Sequence, residues 1–128
     1  MSAYGGPMDR LTEQERRACA ALIEHQPGEV RAVLMCDLDT AGVEALNKDR
    51  SILRFHLSDY ERDEGQMPLC PEGSVLDADG EPLEVIVYID RNSRLMELEL
   101  IRYAAGDVIG PDWTTLVVQD SGLSAPHP

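Results

Sequence analysis

The alternation over Glu84–Tyr103, EVIVYIDRNSRLMELELIRY, limits the possible folds of this chain more than any other feature. Val85, Val87 and Ile89 alternate with Glu84, Ile86 and Tyr88, the two-residue period of a strand whose faces meet different surroundings. A polar break, Arg91-Asn92-Ser93-Arg94, separates this run from a second one. With those four residues as the turn, Ile89 falls opposite Met96, Val87 opposite Leu98 and Val85 opposite Leu100. Tyr88/Glu97, Ile86/Glu99 and Glu84/Ile101 then share the other face. A slip of one residue would set apolar against polar positions, so the pairing is well specified. The core positions expected here are Val85, Val87, Ile89, Met96, Leu98 and Leu100. An apolar sheet face of this kind needs a layer to cover it.

The remaining segments supply that layer and more strands. Thr12 followed by Glu15 is a capping box, and TEQERRACAALIEHQ places Ala18, Cys19, Leu22 and Ile23 on one side. A helix is expected from 12 to about 25, ended by Pro27-Gly28. VRAVLMCDL, within 29–41, fits a buried strand or a short helix equally, because periodicity does not separate the two in short apolar runs. VEAL-NKDR-SILRFHL reads as a hairpin with Leu53, Phe55 and Leu57 on one face and Ile52, Arg54 and His56 on the other. Residues 58–73, with their prolines and charge clusters, read as a surface loop. Asp79-Gly80 is a tight-turn signal between two strands, and a last short strand is expected near 115–118, beside Trp113. The order is a helix followed by hairpin-linked strands. The expected fold is α+β, with an N-terminal amphipathic helix packed on a mainly antiparallel sheet. At 128 residues the chain can support one core. The expectation is a single domain over 11–119, with a flexible N-terminus (1–10) and a flexible C-terminal tail (120–128).

Charge narrows the function. Twenty-four Asp and Glu face eleven Lys and Arg, a formal charge of -13. Such a field repels phosphate backbones and anionic membranes and steers basic partners inward. Nucleic-acid binding is further disfavoured by the lack of a basic stripe with interleaved aromatics. No apolar run approaches the roughly 20 residues of a membrane span. MSAYGGPMDR has neither the apolar nor the basic region of a secretory signal. Cys19, Cys36 and Cys70 are odd in number and widely spaced, which fits reduced thiols. The expected location is the cytoplasm.

Chemical motifs are weak. VLMCDLDTAG resembles the nucleophile motif of haloacid-dehalogenase-type phosphatases, with Asp37 as nucleophile and Asp39 as general acid. Its threonine, Thr40, stands one place early, and the alternating strands and helices of that family are missing. DADGEPLE places Asp77, Asp79 and Glu81 like part of a calcium loop, but the block is too short and Pro82 interrupts it, so a hairpin turn is the better reading. His25, His56 and His127 are isolated, and Cys70, in a loop, is the expected exposed thiol. The reading assigns no catalytic residue, no metal and no cofactor.

Surface recognition remains. One candidate surface is the outer face of the hairpin, where Tyr88, Glu97, Glu99 and Tyr103 mix aromatic anchors with carboxylates. The other is the loop DYERDEGQ, with Asp59, Tyr60, Glu61, Asp63 and Glu64. Both suit a basic protein partner. LTEQE, and then Asp79-Gly80, the strand Val85–Ile89 and Leu95-x-Glu97-Leu98-Glu99 ending at Tyr103, resemble small bacterial α+β proteins, some of which look like immunity proteins. That resemblance implies an antitoxin of interbacterial competition, which binds a basic toxin or effector and has no catalytic residues of its own. Such a protein is expected to be a monomer, with a dimer as the alternative state. The competing functions are a secretion chaperone, which usually carries a dimerising C-terminal helix not evident here, and a small Asp-dependent phosphatase.

Overall fold

The structure, a computed structural model, describes residues 9–63 and 65–119. Helix α1 (Glu13–Ile23) starts as its capping box requires. The Thr12 hydroxyl accepts from the Glu15 N–H, and the Glu15 carboxylate accepts from the Thr12 N–H. Cys19, Leu22 and Ile23 point from α1 into the core.

The ambiguous segment is a second helix, α2 (Gly28–Thr40), preceded by Pro27 at its N-cap. Leu34 and Leu38 are buried one turn apart, with Val30 packed against the same core. That four-residue spacing is the helical face within the apolar run. Of the two alternatives open for 29–41, the helix is the one that forms, and α1 and α2 pack against each other.

Seven strands follow: β1 (Gly42–Ala45), β2 (Ile52–His56), β3 (Met67–Pro68), β4 (Gly73–Leu76), β5 (Pro82–Ile89), β6 (Leu95–Arg102) and β7 (Asp112–Val118). All pairings are antiparallel, in the order β1-β2-β6-β5-β4-β7, with β3 paired to the end of β5. The stretch expected to be all loop, 58–73, thus contains β3 and the first residue of β4. The fold is α+β with an antiparallel sheet built largely from hairpins. Helix α1 meets the sheet at β7 and α2 meets it at β6. No described helix is long and apolar enough to cross a membrane.

The central hairpin pairs Glu84/Ile101, Val85/Leu100, Ile86/Glu99, Val87/Leu98 and Tyr88/Glu97, as the alternation predicts. The sixth pair differs. Ile89 faces Leu95, a bulge follows, and Leu95 is fully buried while Met96 is half-buried. The cause lies in the turn. Ser93 adopts a left-handed conformation (φ 61) and Asp90 pairs with Arg94, which makes a three-residue loop in place of the expected four. The Asp90 carboxylate accepts from the N–H groups of Asn92 and Arg94 and closes this turn. The extra residue is absorbed as a bulge, and Leu95 takes the core position expected for Met96.

The inner face joins Val43, Leu53, Phe55, Val75, Leu83, Val85, Val87, Leu98 and Leu100 to both helices in one buried cluster. Each such side chain contributes about 1.5–3 kcal/mol through removal from water. With both helices on this side, the opposite face of the sheet has no covering helix among the described residues.

Candidate functional site

Strand registers lay out the open face in rows. One row runs Tyr88, Glu97, Arg54, Glu44 across β5, β6, β2 and β1. The next runs Ile86, Glu99, Ile52. A third runs Val117, Ser74, Glu84, Ile101 across β7, β4, β5 and β6. Glu72 precedes β4, and its carbonyl still accepts from the Gln119 N–H at 2.8 Å. It therefore continues the ladder and shares the outer side with Ser74, diagonal to Glu84.

The two halves of this face differ in how their charges are met. On the β1–β2 side, Glu97 is only 7% exposed and is held by the Arg54 guanidinium. His56 Nε2 meets Glu44 Oε1 at 2.9 Å. Several scaffold carboxylates elsewhere are matched too. Arg50 takes Asp9 and Glu15, Arg94 takes Asp37, and Arg102 takes Asp77 and Asp79. Arg16 pairs with Asp39, and Arg62 lies 3.7 Å from Asp90. Among the described residues, Glu72, Glu84 and Glu99 enter no salt bridge. Glu72 and Glu84 meet on the β4–β5 side, and Glu99, on β6, is diagonal to Glu84.

Their proximity alters their acidity. Glu72 and Glu84 share a hydrogen bond that needs one proton between them, and this bond, burial and the neighbouring charge push Glu72 up to about 7. Glu84 is lowered by Glu72 and by the Tyr103 hydroxyl, which donates to its Oε1 at 2.6 Å. The tyrosine donor favours the charge on Glu84, so the proton rests on Glu72. Burial pushes the Tyr88 phenol up to about 12, helped by Glu99, Glu97 and Glu84. Apolar groups flank the acids, with Tyr103 76%, Val117 58% and Leu76 42% exposed. Ile86, at their centre, is covered by its neighbours and is buried.

The predicted contact residues thus separate by environment. Tyr88, Glu99 and Tyr103 share the unmatched acidic region, whereas Glu97 faces the same side with its charge bound to Arg54. Loop residues Asp59 and Glu61 are exposed and Asp63 is half-buried. Tyr60 serves the scaffold: its hydroxyl donates to Asp90 and accepts from Asn92, and the Arg94 guanidinium lies 4.4 Å from its ring centroid. Glu64 lies outside the described residues, as do His127, the tail 120–128 and residues 1–8 of the expected N-terminal segment. Asp9, placed in that segment by the sequence, forms a two-bond bridge with Val43. Sequence reasoning missed Glu72, Leu76 and Val117. A signal existed for Glu72, because centring the β4–β5 hairpin on Asp79 puts Ser74 opposite Glu84.

The motifs considered for chemistry have other employment. Asp37 and Asp39 lie on α2, not at a strand end. Asp37 accepts two bonds from Arg94 and one from the Leu95 N–H, while Asp39 is exposed and paired with Arg16. Asp77 and Asp79 close the β4–β5 turn, where Gly80 is left-handed (φ 88), and both grip Arg102. His56 lines a cleft of about 360 Å³, but its described partner is Glu44 alone. Cys19 is buried and its thiol is raised to about 12, whereas Cys36 is exposed together with Cys70. No described group of three His, Cys, Asp or Glu side chains could hold a metal ion.

Comparison with protein-family models, curated proteins and solved structures gives no match.

Proposed function

We propose that this chain is an immunity-type inhibitor that binds a basic protein toxin through the β5–β4 side of its open sheet face. The observation that carries the reading is the distribution of arginines. On the open sheet face Arg54 neutralises Glu97, whereas Glu72, Glu84 and Glu99 enter no salt bridge among the described residues and lie beside exposed Tyr103, Val117 and Leu76. The charges on Glu84 and Glu99 have no internal cation among the described residues and are available for Lys or Arg of a partner, and the adjoining tyrosines and aliphatics offer area to bury. The net charge of -13 would speed encounter with a basic surface. The toxin, as the kind of partner, rests on the sequence resemblance to immunity proteins.

The test is co-purification of a basic protein on the immobilised chain, followed by titration at about 50 mM and about 500 mM salt. The expected result is at least tenfold weaker binding at high salt, and a similar loss for the Glu84→Gln/Glu99→Gln double variant. Affinity unchanged by both perturbations would overturn the reading. The same partner should be toxic when expressed alone and harmless when co-expressed with this chain.

A further inference from the structure

The sheet has two edges, and they are finished differently. β1 is four residues long, and its Val43 exchanges two backbone hydrogen bonds with Asp9, at 3.0 and 2.9 Å. β7 is seven residues long and, among the described residues, pairs with β4 alone. Its sequence, DWTTLVV, contains no Lys and no Pro, the residues that usually guard an edge.

The direction of its free backbone groups follows from the ladder. Gln119 donates its N–H to Glu72 across the β4–β7 pair, and Val117 is in register with Ser74. Antiparallel strands alternate between residues bonded to one neighbour and residues facing away. Leu116 and Val118 therefore turn their N–H and C=O groups away from β4. Their side chains pack on the core while Val117 faces the open side, so among the described residues the backbone groups on this edge have no strand partner.

We infer that a basic partner docks by adding an extended strand to β7, with Lys or Arg side chains at alternate positions lying over Val117 toward Glu72. The inference deepens the binding reading above and rests on it. Charge selects this occupant over a second copy, since two chains of charge -13 would bring matching acidic regions together. Backbone bonds to Leu116 and Val118 supply the pairing. Aliphatic stems over Val117 and cations near the negative charge of the Glu72/Glu84 pair supply the preference for a basic sequence.

The test uses the whole chain and two seven-residue peptides of alternating lysine and valine, one of them N-methylated at the amides that would face β7. Both carry the same charge, but only the unmodified peptide can complete the ladder. Emission from Trp113, the sole tryptophan and a β7 residue, reports binding, and amide exchange reports the edge. The expected result is binding at least tenfold tighter for the unmodified peptide, with protection gained at Leu116 and Val118. Equal binding of both peptides, weakened by salt, overturns strand addition and leaves the acidic face as the binding surface. No response to either peptide up to about 1 mM also overturns it, and the salt titration above then decides the surface reading separately. Protection at these two amides that grows with protein concentration without peptide assigns the edge to a second copy and refutes the partner strand.

Discussion

Replacing Asp77 should be among the most damaging polar substitutions in this protein, although it touches none of the proposed contact surface. Its side chain is fully buried and accepts from the N–H groups of Ala78, Ile109 and Gly110 and from Arg102 Nη1. Burial pushes its carboxyl up, but those amides and the guanidinium outweigh it and hold the group below its ordinary range. Asp77→Ala orphans the loop amides that lead into β7 and removes one of the two carboxylates on Arg102. Buried unpaired donors cost about 1–3 kcal/mol each, and breaking a buried ion pair costs about 3–5 kcal/mol. The expected loss is about 3–5 kcal/mol, a large part of the roughly 5–15 kcal/mol that stabilises a domain. With a urea slope of about 1.5 kcal/mol/M, the midpoint should fall by about 2–3 M. Asp79→Ala is the control. Asp79 binds the same arginine but is 39% exposed and holds no loop amide of 109–110, so its loss should lower the midpoint less than the loss of Asp77. If urea denaturation followed by Trp113 emission gave the two variants equal midpoints, burial would not be what distinguishes these carboxylates.

Three other outcomes follow from the same geometry. Glu84→Gln should return the Glu72 titration, followed by carboxyl NMR, from about 7 toward its ordinary 4.5. Because the folded-state value is raised, the stability Glu72 contributes is present below 4.5 and is lost as pH rises through about 7; the variant should lack that decline. Alkylation at neutral pH should modify Cys36 and Cys70 in the folded protein and reach Cys19 only on unfolding, as intact-mass measurement with and without urea would show. Phe55→Ala, at a fully buried β2 position, should cost about 3–5 kcal/mol in urea unfolding with the slope unchanged.

Local chemistry made much of the fold legible. The Thr12–Glu15 capping box needs only its own turn, and α1 begins there. Two-residue alternation fixes Val85, Val87, Leu98 and Leu100 because each strand tests one face against the other. The alternation did not reveal the left-handed Ser93, so Leu95 rather than Met96 enters the core. Nor did it resolve 29–41, where an apolar run of that length suits either period. The helix is selected when Leu34 and Leu38 find the sheet and Asp37 finds Arg94, 57 positions along the chain.

The candidate site divides along the same line. Net charge, the outward direction of Tyr88 and Glu99, and the reach of Tyr103 to Glu84 were legible in the chain alone, since these depend on composition and one hairpin. Which acids remain unmatched was decided only by tertiary structure. Arg54 reaches Glu97 across β2 and β6, Arg102 reaches Asp77 and Asp79 across the β4–β5 turn, and Glu72 meets Glu84 only because β4 pairs with β5. A charge is free or bound according to which side chains lie within a few ångströms, and strand order sets that distance while composition does not.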